Sequence, residues 1–426
     1  MSAIQTMTEK AWDLVVVGGG LTGVAAAVSA RREGLEVLLI EQAGFLGGAP
    51  GTLLINPFMP YSTTVDGRRF ELSRGFFSEL RKLLKEAGGY ADGGREDIHE
   101  EYLKLALDRL IAREGVTPLF HATLCGVEKM GGTIQAVRVV TKAGVLTFRG
   151  RCFIDCTGDA DLAVMAGCPY HLGRSDGLCQ PMTLCFRIGN VDIPTFQKNR
   201  QAMQEKYKRF QAEGKIKNPR ENVLIFNTLV DGVLHFNTTR VVKHDPTDPF
   251  DVTEAEMIAR EQMFEMYYFL RDNCPGFEKS QLLYSAGSIG ARESRMIDGE
   301  YLLTETDLRD CVKFDDAIAA GNYDIDIHNP EGSGTSHYYF PAGAWYTIPY
   351  RSLQPKNADN LLVAGRCISS THEAQASYRI MPIVATLGQA AGTAAALAIK
   401  SGVGVKAVDV KALQALLTKN GAFIGK

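Results

Sequence analysis

The sequence predicts an α/β fold whose parallel sheet is assembled from both ends of the chain, with an α+β domain inserted between them. Three observations predict it. Near the start, two short apolar runs, 13–17 (DLVVV) and 36–41 (EVLLIE), flank an Ala-rich segment, 21–32 (LTGVAAAVSARR). Near the end the same character returns, with an apolar run at 360–364 (NLLVA) and a long Ala/Gly-rich segment at 382–399. Between them, runs such as 182–188 and 233–241 alternate as antiparallel strands do.

Taken in order, residues 1–11 read as a disordered leader. The run 13–17 is a buried strand that enters Gly18-Gly19-Gly20. Residues 21–32 form a helix of small residues able to pack closely on a sheet, and Gly34 ends it. With the strand at 36–41 this is a βαβ unit, whose crossover is right-handed. Residues 44–60 are a Gly/Pro-rich loop, and 72–87 and 99–114 are helices with apolar faces. Short strands at 117–120, 126–129, 134–141 and 144–149 make a meander. A further buried strand, 151–156 (RCFIDC), ends in Thr157-Gly158-Asp159. Helices at 194–213 and 252–272 lie in the insert, and the basic residues of the first are a solvated face. The division is 12–168 plus 346–426 for the discontinuous domain and 169–345 for the insert.

Composition narrows the function. The length, 426 residues, suits two or three domains at roughly 150 residues each. A hydrophobic share of 45% supplies a packed core. A formal net charge of -3 argues against nucleic-acid binding. No apolar run approaches the roughly 20 residues of a membrane span, and the start shows no secretory pattern. The nine cysteines include no CxxC pair. Reduced thiols in a cytoplasmic protein are the plain reading, with no zinc or iron–sulfur framework and no metal ligands.

The glycines point to a ligand. Gly18-x-Gly20-x-x-Gly23 follows a strand and opens a helix. The first glycine permits the turn, the second lets a pyrophosphate approach the backbone, and the third lets helix and strand pack closely. The helix N-terminus offers free N–H groups to phosphates. Glu41, 18 residues after Gly23, ends the second strand, where its carboxylate can accept ribose hydroxyls and repel a 2′-phosphate. A dinucleotide-binding, Rossmann-like three-layer domain follows. Gly47-Gly48 just after the acid suits a long cofactor. Gly158 and Gly365-Arg366 end further strands on the ligand-binding edge. Pro382 near a helix start aims a positive helix end at that edge.

With these pieces in place the chain resembles a bacterial family of FAD-dependent oxidoreductases. Its fold is the glutathione-reductase-like FAD fold, and it is related to the flavin subunit of heterodisulfide reductase. The matching segments are VVVGGGLTGVAAA (15–27), EQAGFLGG (41–48), FIDCTGDADLA (153–163), GSIGARESRMIDGEYLLTETD (287–307), YDIDIHNP (323–330), YTIPYRSLQP (346–355), NLLVAGRCISSTHEA (360–374) and RIMPIVATLGQAAGTAAALA (379–398). The relatives' cysteine-rich iron–sulfur segment is missing. The resemblance implies that FAD is lined by Gly18, Gly20, Gly23, Glu41, Gly47, Gly48, Gly158, Gly365, Arg366, Met381, Ile383 and Val384, while Asp159 either joins this lining or only caps the turn after its strand. It also implies that the backbone of Leu124 pairs with the adenine edge.

A flavin carries the redox step, so the protein must position substrate and move a proton. His372, after the Gly365 turn, is the first acid/base candidate, and Arg379 is a candidate to stabilise reduced flavin or an oxyanion. Arg292 and Arg295 in the run RESR read as a carboxylate clamp, on one helix face or one turn, or as a salt-bridge lattice between domains. His328, His337, Tyr338 and Tyr346 are candidates for the substrate pocket. The expected function is hydride transfer between a small organic molecule and flavin N5, with an electron partner left open among oxygen, a quinone, a nicotinamide and a carrier protein. The alternatives are an FAD enzyme of non-redox chemistry, a nicotinamide-only dehydrogenase and a non-enzymatic flavin protein.

Overall fold

A computed structural model describes residues 3–91 and 96–426. Strand β1 (Ala11–Val17) is joined by helix α1 (Leu21–Arg32) to the parallel strand β2 (Val37–Ile40). Strand β3 (Thr117–Leu119) lies outside β2. The meander follows as β4 (Thr123–Met130), β5 (Thr133–Thr141) and β6 (Gly144–Asp155). Strand β7 (Leu361–Val363), from the end of the chain, pairs parallel with β6, so the order is β3-β2-β1-β6-β5-β4 with β7 on β6.

One difference from the sequence reading concerns β6. The runs 144–149 and 151–156 read as two strands, yet they form one strand of 12 residues. Its first half pairs antiparallel with β5, and its second half pairs parallel with β1 and β7. Gly150 at the join is tightly packed, since a Cβ there would meet the Val15 side chain at 3.0 Å and crowd it. A single strand therefore belongs to both the meander and the parallel sheet.

The pleat of β1 explains the layers. Leu14 and Val16 enter the core beneath α1, while Val15 and Val17 enter the core beneath the meander. Helix α2 (Met381–Ser401) lies against α1. Among the described residues α2 is the one helix long and apolar enough to cross a membrane, but 89% of its apolar window is buried within the protein. It is an interior helix, and its apolar length is longer than the sequence reading allowed.

A second core gathers Leu54 and residues between Met182 and Ile289. It is a four-stranded antiparallel sheet with the long helices Ile193–Ala212 and Pro249–Asn273. Each helix starts at an aspartate that caps it: Asp192 accepts from Thr195 N–H at 3.1 Å, and Asp248 from Phe250 N–H at 2.8 Å. The expected insert, 169–345, is wider than this core. Leu303, Phe314, Ile318 and Ile325 pack instead with the first core. The leader also differs. Ala3–Glu9 is a helix rather than disordered chain, and Met1 and Ser2 lie outside the described residues.

Candidate functional site

The glycine turn builds the first wall of a long cleft of about 380 Å³. Gly18 holds φ at +101°, and a Cβ on Gly23 would sit 1.8 Å from Gly18 O. Only glycine lets β1 turn this sharply into α1. Gly20 faces open space, where a Cβ would come no closer than 3.9 Å to a neighbouring atom. Gly20 caps α1 without a side-chain bond, so the first N–H groups of the helix remain available to a ligand. The second glycine pair docks on the first, with Gly47 N–H donating to Gly19 O at 2.9 Å. Glu41 is buried and accepts from Gly19 N–H at 2.6 Å and from Ala43 N–H at 2.7 Å. Each carboxylate oxygen keeps a lone pair for a sugar hydroxyl. This donor set fits an ADP-containing cofactor.

Of the residues expected to hold FAD, all but Gly23 and Ile383 line this cleft. Gly23 shapes the turn from behind, and Ile383 is buried in the first core. Asp155 was missed by the sequence reading. It is wholly buried at the end of β6, and burial pushes its carboxyl up to about 6 despite bonds from Thr157 and Ala163. It ties the Thr157–Gly158 loop to the following turn. Its signal was an acid inside an otherwise apolar strand, RCFIDC.

The RESR run is extended chain rather than helix, so its side chains diverge. Arg295 pairs with Asp161, and Ser294 donates to Asp159, which also receives Arg366. Glu293 is fully buried and meets His372 Nδ1 at 2.8 Å. Arg292 alone of the four reaches a second cavity. The expected clamp of Arg292 with Arg295 is therefore corrected, because residues three apart in extended chain face opposite sides. His372 and Arg295 line neither cavity.

The second cavity, about 480 Å³, adjoins the cleft. Ala49, Leu53, Ala291, Arg366, Arg379 and Met381 line both. Its polar side holds Arg220, Arg292 and Arg379 with Asp326, His328 and His337, and its apolar side holds Leu53, Ile55, Leu224 and Phe226. Arg220, and Arg240 behind it, carried no motif, and topology alone brings them to Asp326 and His328 of the YDIDIHNP segment.

Within this cluster His328 is enclosed. Its Nδ1 accepts from Arg240 Nη2 at 3.1 Å and Arg220 Nη1 at 3.4 Å, since guanidinium groups only donate. Its Nε2 lies 3.5 Å from Asp326. Burial, then Arg292, hold its pKa down to about 3, so it is neutral at ordinary pH. Burial alone would raise Asp326, but His328, Arg379 and His337 outweigh it and keep its carboxyl well below the usual range. His337 Nδ1 meets Asp324 at 2.5 Å, and its ring stacks on Tyr339. Asp324, Asp326 and His337 bring one ligand atom each to within 4.8 Å of one another, a spacing their ion pairs account for.

Two expected pocket residues lie elsewhere. Tyr346 is buried in the first core with its hydroxyl 2.7 Å from Ser377 Oγ. Tyr338 lies beneath the Arg309 guanidinium and against Phe340. On its strand it alternates with His337, so the two face opposite ways.

Residues 13–417 match the family described as FAD dependent oxidoreductase. Over 79 residues the chain is 37% identical to sarcosine oxidase subunit alpha of Rhizobium meliloti (strain 1021), covering 18% of this chain and 7% of that protein. Over 41 residues it is 51% identical to dihydrolipoamide dehydrogenase of Chaetomium thermophilum, covering 10% of this chain and 8% of that protein. The matches thus span less than a tenth of either curated relative. Among solved structures, a flavin-dependent brominase superposes with a TM-score of 0.51 at 14% identity, over 95% of this chain and 83% of the other. A geranylgeranyl bacteriochlorophyll reductase-like protein from Thermoplasma acidophilum gives 0.46 at 14% identity, over 97% and 84%. The brominase likeness establishes the fold and no more. The family match covers nearly the whole chain, and it meets a cleft whose glycines, free helix end and buried acid fit FAD, so this chain belongs to the FAD-dependent oxidoreductase family.

Proposed function

We propose that this protein oxidises or reduces a small organic molecule seated in the second cavity, with hydride passing between a substrate carbon and N5 of FAD. The shared wall carries this reading. Arg379, Met381 and Leu53 face both cavities, so a substrate in one lies against a cofactor in the other. Within its family we group the chain with the glutathione-reductase-like flavoproteins related to the heterodisulfide reductase flavin subunit. The segments 153–163 and 287–307 support that finer placement.

FAD supplies a two-electron donor or acceptor, and the protein supplies the rest. Gly18, Gly20 and the start of α1 hold the pyrophosphate. Glu41 holds the ribose, and the backbone of Leu124 the adenine. At the start of α2 Pro382 has no N–H, and the Ile383 and Val384 N–H groups donate to Ile380 O, so it is the positive end of the helix dipole that favours negative charge at the flavin's pyrimidine end. His337, held at Nδ1 by Asp324, leaves Nε2 to exchange a proton with the substrate. His328 has both nitrogens engaged, which favours an orienting role. His372 acts as a positioning residue, because its bond to Glu293 stands behind the wall that carries Arg292. Cys156 and Cys367 are buried, and burial pushes both thiols up, which disfavours a thiol relay.

The test is anaerobic mixing of the holoprotein with paired normal and deuterated organic substrates, followed by flavin absorbance near ~450 nm. Bleaching slowed by deuterium at the reacting carbon is expected. Turnover of a compound with no bleaching at any stage would overturn hydride transfer and favour the non-redox reading. Oxygen, a quinone or a nicotinamide added after bleaching then identifies the electron partner.

A further inference from the structure

The substrate's chemical class follows from the charges around the second cavity, given the reading of that cavity as the substrate site. Its wall holds four arginines, Arg220, Arg292, Arg366 and Arg379, against two carboxylates, Glu221 and Asp326. Three of the four have an acid. Arg366 pairs with Asp159, Arg379 Nη2 lies 3.6 Å from Asp326, and Arg220 Nε lies 3.8 Å from Glu221. Glu221 is shared, since Arg240 Nη2 also lies 3.2 Å from it.

Arg292 has no acid partner among the described residues. Its Nη1 donates to Pro181 O and Thr183 Oγ1, and its Nη2 to Asn237 Oδ1. Three of its five N–H groups are thus fixed by neutral acceptors. The remaining two, one of them on Nε, carry no bond among the described residues. Arg220 Nε is also buried without a hydrogen-bond partner. Burial, then the neighbouring Arg220 and Arg379, bring the Arg292 pKa down to about 9. A guanidinium so placed is costly without an anion. The neutral acceptors hold its plane still, which suits a planar ligand that takes two N–H bonds at once.

Opposite these groups the wall is apolar, with Ile55, Leu224 and Phe226. We propose that the cavity takes an organic carboxylic acid, its carboxylate on Arg292 and Arg220 and its apolar body against Leu224 and Phe226. The cofactor's own phosphates belong to the glycine turn at the other end of the cleft, so they leave this charge unmatched.

The probes are aromatic and aliphatic acids, each paired with its neutral amide, for example benzoate with benzamide. Binding to the holoprotein is read by calorimetry and by the shift of the flavin band. Acids are expected to bind at least about tenfold more tightly than their amides. Arg292→Gln is expected to remove that preference, and Arg292→Lys to restore part of it. If no acid in the panel outbinds its amide, the proposal is overturned, whether or not the variants fold. Acids that bind and are turned over with no bleaching at any stage would leave this assignment standing and sink hydride transfer. A neutral compound that bleaches the flavin while acids fail to bind would do the reverse.

Discussion

His328 carries a pH signature that follows from its surroundings. Its folded pKa, about 3, lies below the ordinary 6.5 because burial and Arg292 oppose a second positive charge. The unfolded chain takes up a proton near pH 6.5 that the folded chain refuses. The stability from this site is therefore complete above pH 6.5 and is lost as pH falls toward 3. Urea midpoints measured from pH 7 down to pH 4 should fall in the wild type and fall less steeply in His328→Gln. Equal slopes in the two proteins would contradict the assignment. None of this was visible in the sequence. DIHNP marked a candidate histidine, but Arg220 and Arg240 stand 108 and 88 residues away and carry no motif. By contrast Gly18, Gly20 and Glu41 were legible, because turn, phosphate approach and ribose contact all depend on near neighbours.

Helices α1 and α2 cross at two glycines of α2. A Cβ on Gly388 would sit 2.1 Å from Thr22 O, and one on Gly392 would sit 2.0 Å from Ala26 O. Both contacts are to backbone, so no rotamer change can relieve them. Gly392→Ala should cost about 1–3 kcal/mol through the overpacking that pushes the helices apart. Urea unfolding measures it, and a loss near zero would show that the crossing can yield. FAD retention should fall as well, since α1 carries the glycine turn. Both helices were legible from their small residues, and so were the parallel strands β1, β2 and β7, but Thr117–Leu119, read as part of the meander, is instead a parallel strand on the far side of β2. Elements whose class depended on distant partners were not. β6 was divided because the break at Gly150-Arg151 looks local, while its continuity comes from pairing with β1 and β7. RESR was read as helical or turn-like because a charged run has no period to betray extended chain.

At the scale of the whole molecule, the cleft is walled by both cores. Gly18 and Met381 come from the first unit and Met182 and Ile289 from the second. A bound cofactor therefore adds contacts between two units that already touch, as where Arg187 meets Glu100 and Gly287 N–H donates to Thr52 O. Removing FAD should lower the melting temperature. Adding it back should raise stability by about 2.7 kcal/mol at a hundredfold excess over Kd. Identical melting curves for the apo- and holoprotein would show that the cofactor does not join the cores. The sequence by itself determined the βαβ unit, the cofactor turn with its acid and the discontinuous sheet. Each of these rests on local periodicity or on a motif of fixed spacing. Only the tertiary structure decided which side chains face the second cavity. It withdrew Tyr346 and His372 into packed interior, sent Arg295 to Asp161, and gathered Arg220, Arg292, Asp326 and His337 from separate segments. Charge clusters form through space, and the energy that makes them matter arises only when folding removes the water between them.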